Sequence, residues 1–393
     1  MSEWKKVKLG ELYEVHNGLS KGRQFFGSGY PFLSFSTVFN NWFLPKELDS
    51  LVQSSDKERE ACSIKKGDVF ITRTSETMDE LGMSSVALKD YPNATYNGFT
   101  KRLRPITDEV VPEYIGYYLR SKKFRAKFMA FSSMTTRASL ANDDLLGMEV
   151  EIPDKTIQIR IATILSRYDS LIENYQKQIK LLEEAAQRLY KEWFVELRFP
   201  GHENTKMVDG LPEGWERKKL VEVLEYYDKQ RKPLSSMQRM DMVKIYPYYG
   251  AATLMDYVDN YLFDGIYLLL GEDGTVITPD NYPVLQYVWG KFWVNNHAHV
   301  LRGKNGISTE YLYSMFKEMP IADVVTGAAQ PKISQGRLSE KKIVVPPTKL
   351  ITKWSETTKA YFDSLRNHTE EIRLLTEARD RLLPKLMGGG MAM

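Results

Sequence analysis

Arg73 stands with Thr72, Thr74, Ser75 and Glu76 at the end of an apolar run, residues 69–72, that reads as a strand. Glu272 and Asp273, between Gly271 and Gly274, stand in the same relation to the run at 265–270. Loops rooted on a rigid sheet are where recognition groups are expected. A guanidinium can meet two acceptors side by side, as guanine offers them, and a carboxylate can accept from the cytosine amino group. The plain alternative for both loops is a solvated turn, and the carboxylates face phosphate repulsion. Thr135, Thr136 and Arg137 match Gln330, Pro331 and Lys332 in position, each group following a main helix. Hydroxyl, amide and cationic groups together suit phosphates and base edges, or simply a loop that closes a domain. Tyr248 and Tyr249, before Gly250, fit stacking on a sugar or support of a loop, and packing is the commoner use of such aromatics. Lys122, Lys123, Arg125 and Lys127 line a helical stretch, as a phosphate-contacting or a merely solvated face.

His297 and His299 alternate, so on a strand both would share one face, and a metal pair is conceivable. With no cysteine nearby and no second histidine pair, hydrogen-bonded core or DNA-contacting histidines are the better reading, and no metal or cofactor is expected. Pro279-Asp280 with Glu340-Lys341-Lys342 fits a loose metal-nuclease pattern, but so short a pattern recurs by chance, and residues 144–147 lack it at the matching place. Neither a Gly-rich phosphate loop ending in Lys-Ser or Lys-Thr nor an Asn-Pro-Pro-Tyr string occurs. No catalytic residue is assigned.

The 393 residues suffice for two or three domains, and 42% hydrophobic with 27% charged residues is ordinary globular composition. Net charge is +3, so attraction to nucleic acid would have to come from local basic runs such as 101–104 and Lys229, Arg231 and Lys232. No apolar run approaches a membrane span, and residues 1–8 lack the apolar centre of a signal peptide. The single cysteine, Cys62, excludes an internal disulfide framework and fits a cytoplasmic protein.

Positioning these loops requires a scaffold, and the chain supplies one twice. Residues 157–197 lack Gly and Pro and read as one long helix. Leu165, Ile172, Ile179, Ala186 and Trp193 recur every seven residues, with Ile161, Tyr168, Tyr175, Leu182 and Leu189 as the second register of a heptad seam. Before it lie strands expected at 32–35, 69–72, 85–88, 99–103 and 148–152 and a helix at 113–130, with Tyr114, Tyr117, Tyr118, Phe124 and Phe128 on its buried side. After a Gly- and Pro-rich stretch, 198–214, the plan restarts: Trp215 repeats Trp4, the 265–270 run repeats 67–72, and Glu310-Tyr-Leu repeats Glu113-Tyr-Ile. A second helix at about 350–387 carries Trp354, Tyr361, Leu365, Ile372, Leu375 and Leu382, with His368 and Arg379 as flaws in its seam. The expected fold is α+β: two globular domains, each followed by a long helix, the helices pairing antiparallel as a coiled coil in a pseudo-twofold dumbbell. Two recognition domains at a fixed separation suit a long repetitive ligand, and duplex DNA is the leading case.

Several strings resemble those of the DNA specificity subunit of type I restriction-modification systems. Ile152-Pro153 followed by Gln158-Ile-Arg-Ile161 through Tyr168-Asp169 and Glu173 is similar to the family's entry into its first spacer helix. Tyr248-Tyr-Gly-Ala-Ala, Gly271-Glu-Asp-Gly274, Asn295-Asn-His297-Ala-His299, Gly327-Ala-Ala-Gln330-Pro-Lys332 and Val345-Pro-Pro resemble its target-recognition pattern. Ile157 replaces the usual acidic residue before the helix glutamine, Ile351 falls where the second glutamine would be, and the Gly-Gly-Gly-Met-Ala-Met tail has no family counterpart. The resemblance implies a non-catalytic subunit that reads a two-part asymmetric sequence in double-stranded DNA. It further implies that the helices dock two methyltransferase subunits, that a restriction motor-nuclease subunit can join, and that catalysis belongs to those partners.

On this reading the domains are a first target-recognition domain at 1–153, a spacer helix at 154–199, a linker at 200–214, a second recognition domain at 215–347, a second spacer helix at 348–387 and a tail at 388–393. The partner-helix interface comprises the seam residues Leu165, Tyr168, Ile172, Tyr175, Ile179, Leu182, Trp354, Tyr361, Leu365, Ile372, Leu375 and Leu382. Modules reading faces one DNA turn apart imply two short segments separated by roughly five to eight unspecified base pairs. The rival is a tandem scaffold that binds proteins, which lacks the steep salt dependence of phosphate contacts.

Overall fold

A computed structural model gives the fold and describes residues 4–75, 81–131, 138–139, 141–327 and 330–388. The chain forms two compact units, Met1–Glu173 with Ile372–Met393, and Asn174–Glu371. Both mix helix and sheet and follow one plan. Among the described residues no helix is long and apolar enough to cross a membrane.

The first unit is built on an antiparallel sheet in the order Tyr13–Asn17, Thr100–Pro105, Val69–Thr72 and Ser84–Val86. Val69–Thr72 is buried along its whole length, which explains its unbroken apolar reading. A second sheet orders Ser50–Val52, Phe26–Leu33 and Thr95–Tyr96, and Lys5–Lys8 pairs with Glu149–Ile152. The second unit repeats all three, with a fourth strand added to the second sheet: Leu224–Tyr226, Ala298–Gly303, Tyr267–Gly271 and Leu285–Val288, then Leu254–Val258, Tyr246–Tyr249, Lys291–Val294 and the added Phe263–Asp264, and Glu216–Lys219 against Lys342–Val345.

Some local expectations need correction. The 113–130 helix is two helices, Pro112–Arg120 and Lys122–Phe131. At Ser121 the backbone turns extended, and its Oγ donates to the Tyr118 carbonyl (2.6 Å) while accepting from the Phe124 N–H (3.3 Å), so the serine caps the second helix. The five aromatics expected on the buried side are all buried. The strand at 32–35 ends at Leu33, because Ser34 accepts from the Thr37 N–H (3.1 Å) and starts the helix Phe35–Asn40. The 198–214 stretch carries a short hairpin, Met207–Val208 with Leu211–Pro212, and its Phe199 packs on Trp215 just beyond it, the ring centres 5.6 Å apart.

The long helices span Lys155–Tyr190, prolonged by a wider turn at Lys191–Val195, and Thr348–Met387. Ile161, Leu165, Ala186, Trp193, Trp354 and Leu365 are buried, the other expected seam residues are half-buried, and Leu171, Leu181 and Leu374 off the seam are exposed. The two flaws have partners: His368 stacks on Tyr175 with ring centres 4.7 Å apart, and Arg379 pairs with Asp169 at 2.7 Å while covering Trp42. Each unit also ties its main helix to the first long helix through a tyrosine hydroxyl, Tyr117 to Asp169 in one and Tyr313 to Glu183 (2.9 Å) in the other.

Gln158 anchors the start of the first long helix. It is buried, accepts from the Val111 N–H (2.8 Å), and donates to the carbonyls of Glu109 (3.0 Å) and Pro153 (2.9 Å). In the second helix Ile351 is also fully buried but joins the apolar core instead. Replacing Gln158 with leucine removes these bonds and strands three backbone groups. Urea denaturation of Gln158→Leu should show a loss of about 1–3 kcal/mol, and an unchanged midpoint would contradict the anchoring role.

Candidate nucleic-acid interface

In the second unit, the strands Tyr267–Gly271 and Ala298–Gly303 lie side by side and end at one edge, where Glu272 N–H donates to the His297 carbonyl (2.8 Å). The loop after the main helix joins them there: Ile333 N–H donates to the Glu272 carbonyl (2.8 Å), and Asp273 bridges to Lys332. The fold therefore gathers Glu272, Asp273, His297, His299 and Lys332, which lie far apart in sequence. Gln330, on the same loop, is exposed.

Their charges are matched. Glu272 takes Arg231 Nη1 at 2.7 Å and Lys332 Nζ at 3.5 Å, and Asp273 lies 2.6 Å from His297 Nδ1. His299 is buried, with Nδ1 2.6 Å from Asp228 Oδ2 and Nε2 2.8 Å from the Ile333 carbonyl. Asp228 also accepts from the Val300 N–H (2.8 Å), and Arg231 donates to the Ala298 carbonyl (2.6 Å). Asp228 and Arg231 are central here, yet only Arg231 drew notice in the sequence, as part of a basic run. The available signal was an acid and a base three residues apart just beyond the strand Leu224–Tyr226.

The face expected to be shared by the two histidines is not formed. His297 precedes its strand, which begins at Ala298, so the alternation rule does not apply; its side chain is 48% exposed, while that of His299 is 1% exposed. His299 is thus a hydrogen-bonded core histidine that cannot touch a ligand. Asp228, Glu272 and His299 do place possible metal-ligand atoms within 4.8 Å of one another. Arg231, 2.7 Å from Glu272 and 3.6 Å from Asp228, already supplies the positive charge among them. The nuclease pattern also disperses, since Glu340 pairs with Lys219 (2.6 Å) and Lys341 with Asp323 (2.6 Å).

Tyr248 is buried; its hydroxyl accepts from the Leu234 N–H (3.0 Å) and the Arg239 guanidinium covers its ring, so it braces a loop and is not available for stacking on a sugar. Tyr249 is half-buried against Phe292, and burial pushes its hydroxyl up to about 12.

The first unit builds the same edge. Arg73 N–H donates to the Phe99 carbonyl (3.0 Å), the counterpart of Glu272 and His297, and Thr74–Ser75 pairs with Ala138–Ser139. Thr72 is buried, its hydroxyl accepting from the Met83 N–H (2.9 Å), so it holds the loop and is not exposed for contact. Arg73 is half-buried and Phe99 is exposed. Lys101, only 4% exposed, donates to Asn142 Oδ1, and burial followed by the nearby Arg73 charge pulls its ammonium below the usual lysine range. Glu76, Thr135, Thr136 and Arg137 lie outside the described residues, as do the side chains of Thr74 and Ser75. On the basic helix Lys122 is exposed, whereas Lys123 pairs with Glu151 at 2.5 Å and Arg125 donates to the Leu81 carbonyl.

A family model described as type I restriction modification DNA specificity domain matches residues 1–184 and 212–376. The type I restriction enzyme MjaIX specificity subunit of Methanocaldococcus jannaschii is 24% identical, over 98% of this chain and 93% of its own length. The HindI specificity subunit of Haemophilus influenzae is 22% identical, over 99% of this chain and 100% of its own. In structure, the S subunit of a type I restriction-modification system from M. genitalium superposes with a TM-score of 0.55 at 19% identity, covering 98% of this chain and 96% of that one.

The charge network makes the Arg231 guanidinium indispensable to the second edge. In Arg231→Ala, Glu272 and Asp228 would face each other without their shared cation, and urea denaturation should show a loss of about 3–5 kcal/mol. A loss below about 1 kcal/mol would show that water or Lys332 replaces the guanidinium.

Proposed function

The chain belongs to the type I restriction-modification DNA specificity family, and we propose that it is the non-catalytic subunit through which such a system reads a two-part asymmetric sequence in double-stranded DNA. Each unit reads one part through the edge where the loop after the buried strand meets the loop after the main helix. The observation that carries this reading is that both units build that edge with one backbone plan but different side chains, Arg73, Phe99 and Lys101 in one and Glu272, His297 and His299 in the other. A shared backbone plan with distinct chemistry is what two unlike half-sites require. The exposed or half-buried members, Arg73, Glu272, Asp273, His297, Gln330, Lys332 and Lys122, are the contacting candidates.

The long helices set the unread gap by pairing antiparallel. Support comes from contacts in each unit: Asp169 with Arg379, Tyr175 with His368 and Tyr190 with Trp354, so that as one helix is followed forward the other is followed backward. The outer faces dock two methyltransferase subunits, and a motor-nuclease subunit completes a restricting assembly. Exposed Leu171, Leu181, Leu374 and Arg188, with the exposed pair Lys180 and Glu184, are the candidates for that docking, whereas Glu183 is engaged by Tyr313. Methylation and cleavage belong to those partners.

Insertion of one heptad into each long helix at matched seam positions tests the spacer role. Seven residues add about 10 Å, or roughly three base pairs at 3.4 Å each. Modification mapping in a host that carries the chain with its methyltransferase should show a longer gap and two unchanged half-sequences. An unchanged gap, or altered half-sequences, would contradict the spacer role.

A further inference from the structure

The two edges differ in one electrostatic respect. In the second unit Glu272 is drawn inward by Arg231 and Lys332, and every charge at the edge has a counter-charge. In the first unit the equivalent residue, Arg73, makes no side-chain hydrogen bond or ion pair with a described residue, and its Nε is buried without a partner. Beneath it, at the position of His299, stands buried Lys101, whose ammonium is held by the neutral Asn142. Asp143 and Asp144 act favourably on Lys101 without forming an ion pair, and among the described residues no carboxylate pairs with Arg73. A half-buried guanidinium with a buried orphan N–H and a like charge below it costs free energy in the free protein.

We propose that Arg73 is a base-reading residue of the first unit and that it takes the guanine edge of a specified G·C pair. This rests on the DNA-reading proposal above and names the chemistry of one half-site. Guanine presents O6 and N7 as paired acceptors to a bidentate guanidinium. A phosphate would also satisfy Arg73, but the equivalent residue in the second unit is a carboxylate, which a backbone contact shared by both units would not tolerate. Since the backbone is held alike at both positions, by Arg73 N–H on the Phe99 carbonyl and Glu272 N–H on the His297 carbonyl, the difference in side chain is a difference in what is read.

The test uses the full chain with its methyltransferase subunits and duplexes that carry the mapped motif, with each specified base pair replaced in turn. For the wild type, replacing one G·C pair in one half should weaken binding strongly. In Arg73→Gln and Arg73→Lys, discrimination at that pair should fall roughly 10- to 100-fold, while the other half is read as before. Arg73→Lys keeps the charge and loses the fork, so it decides the matter if the glutamine variant fails to show a normal thermal transition. Uniform weakening on all duplexes by Arg73→Gln, with Arg73→Lys equal to wild type, would make Arg73 a phosphate contact and overturn the proposal. Unchanged discrimination in both variants would overturn it too, leaving the two-part reading intact. A wild-type complex that prefers no sequence would instead defeat the DNA reading itself.

Discussion

An apolar seam on a helix of 36 residues cannot stay in water, and this constraint governs the rest of the chain. One face of Lys155–Tyr190 must be covered, and in both units the cover comes from the second long helix together with a globular core. In the first unit Ile161 and Leu165 share a core with Leu383, Leu386 and Met387. In the second, Tyr190 and Phe194 pack with Trp354, Phe362 and Tyr311. Burying each such large side chain contributes about 1.5–3 kcal/mol. Each globular core is thereby continuous with the helix segments it packs on.

Polar contacts then fix the angle that apolar packing leaves free. Asp169 receives the Tyr117 hydroxyl and the Arg379 guanidinium, so three helices meet at one carboxylate. Glu183 and Gln187 do comparable work in the second unit, the latter donating to Ser314 O (3.1 Å) and Glu318 Oε1 (2.8 Å). Such groups are directional where dispersion is not. The cost of an Arg73 with no side-chain partner among the described residues is tolerable because the buried strand Val69–Thr72 holds the loop by backbone bonds and by the Thr72 hydroxyl.

The long helices, the doubled plan and the strands at 69–72 and 265–270 were legible because periodicity and repetition are properties of the chain itself. The junction of the loops was legible only as a correspondence between copies, with Arg137 and Lys332 at matching places. Less visible were features set by tertiary contact. Ser121 splits a helix because its hydroxyl finds Tyr118 and Phe124, and His297 leaves its strand because pairing begins one residue later, at Ala298. Asp228 and Arg231 gave no periodic signal, since their meaning comes from Glu272 and His299, more than 40 residues away in sequence. His368 and Arg379 looked like faults in a seam because the heptad rule has no place for a stacked ring or for Asp169 across the helix pair.

The central claim is that one chain reads two separate half-sites. Mapping of modified bases across the genome of a host carrying the wild-type chain with its methyltransferase tests it most directly. The account predicts two short, unlike specified segments separated by roughly five to eight unspecified base pairs. A single uninterrupted motif, or two identical halves, would contradict it.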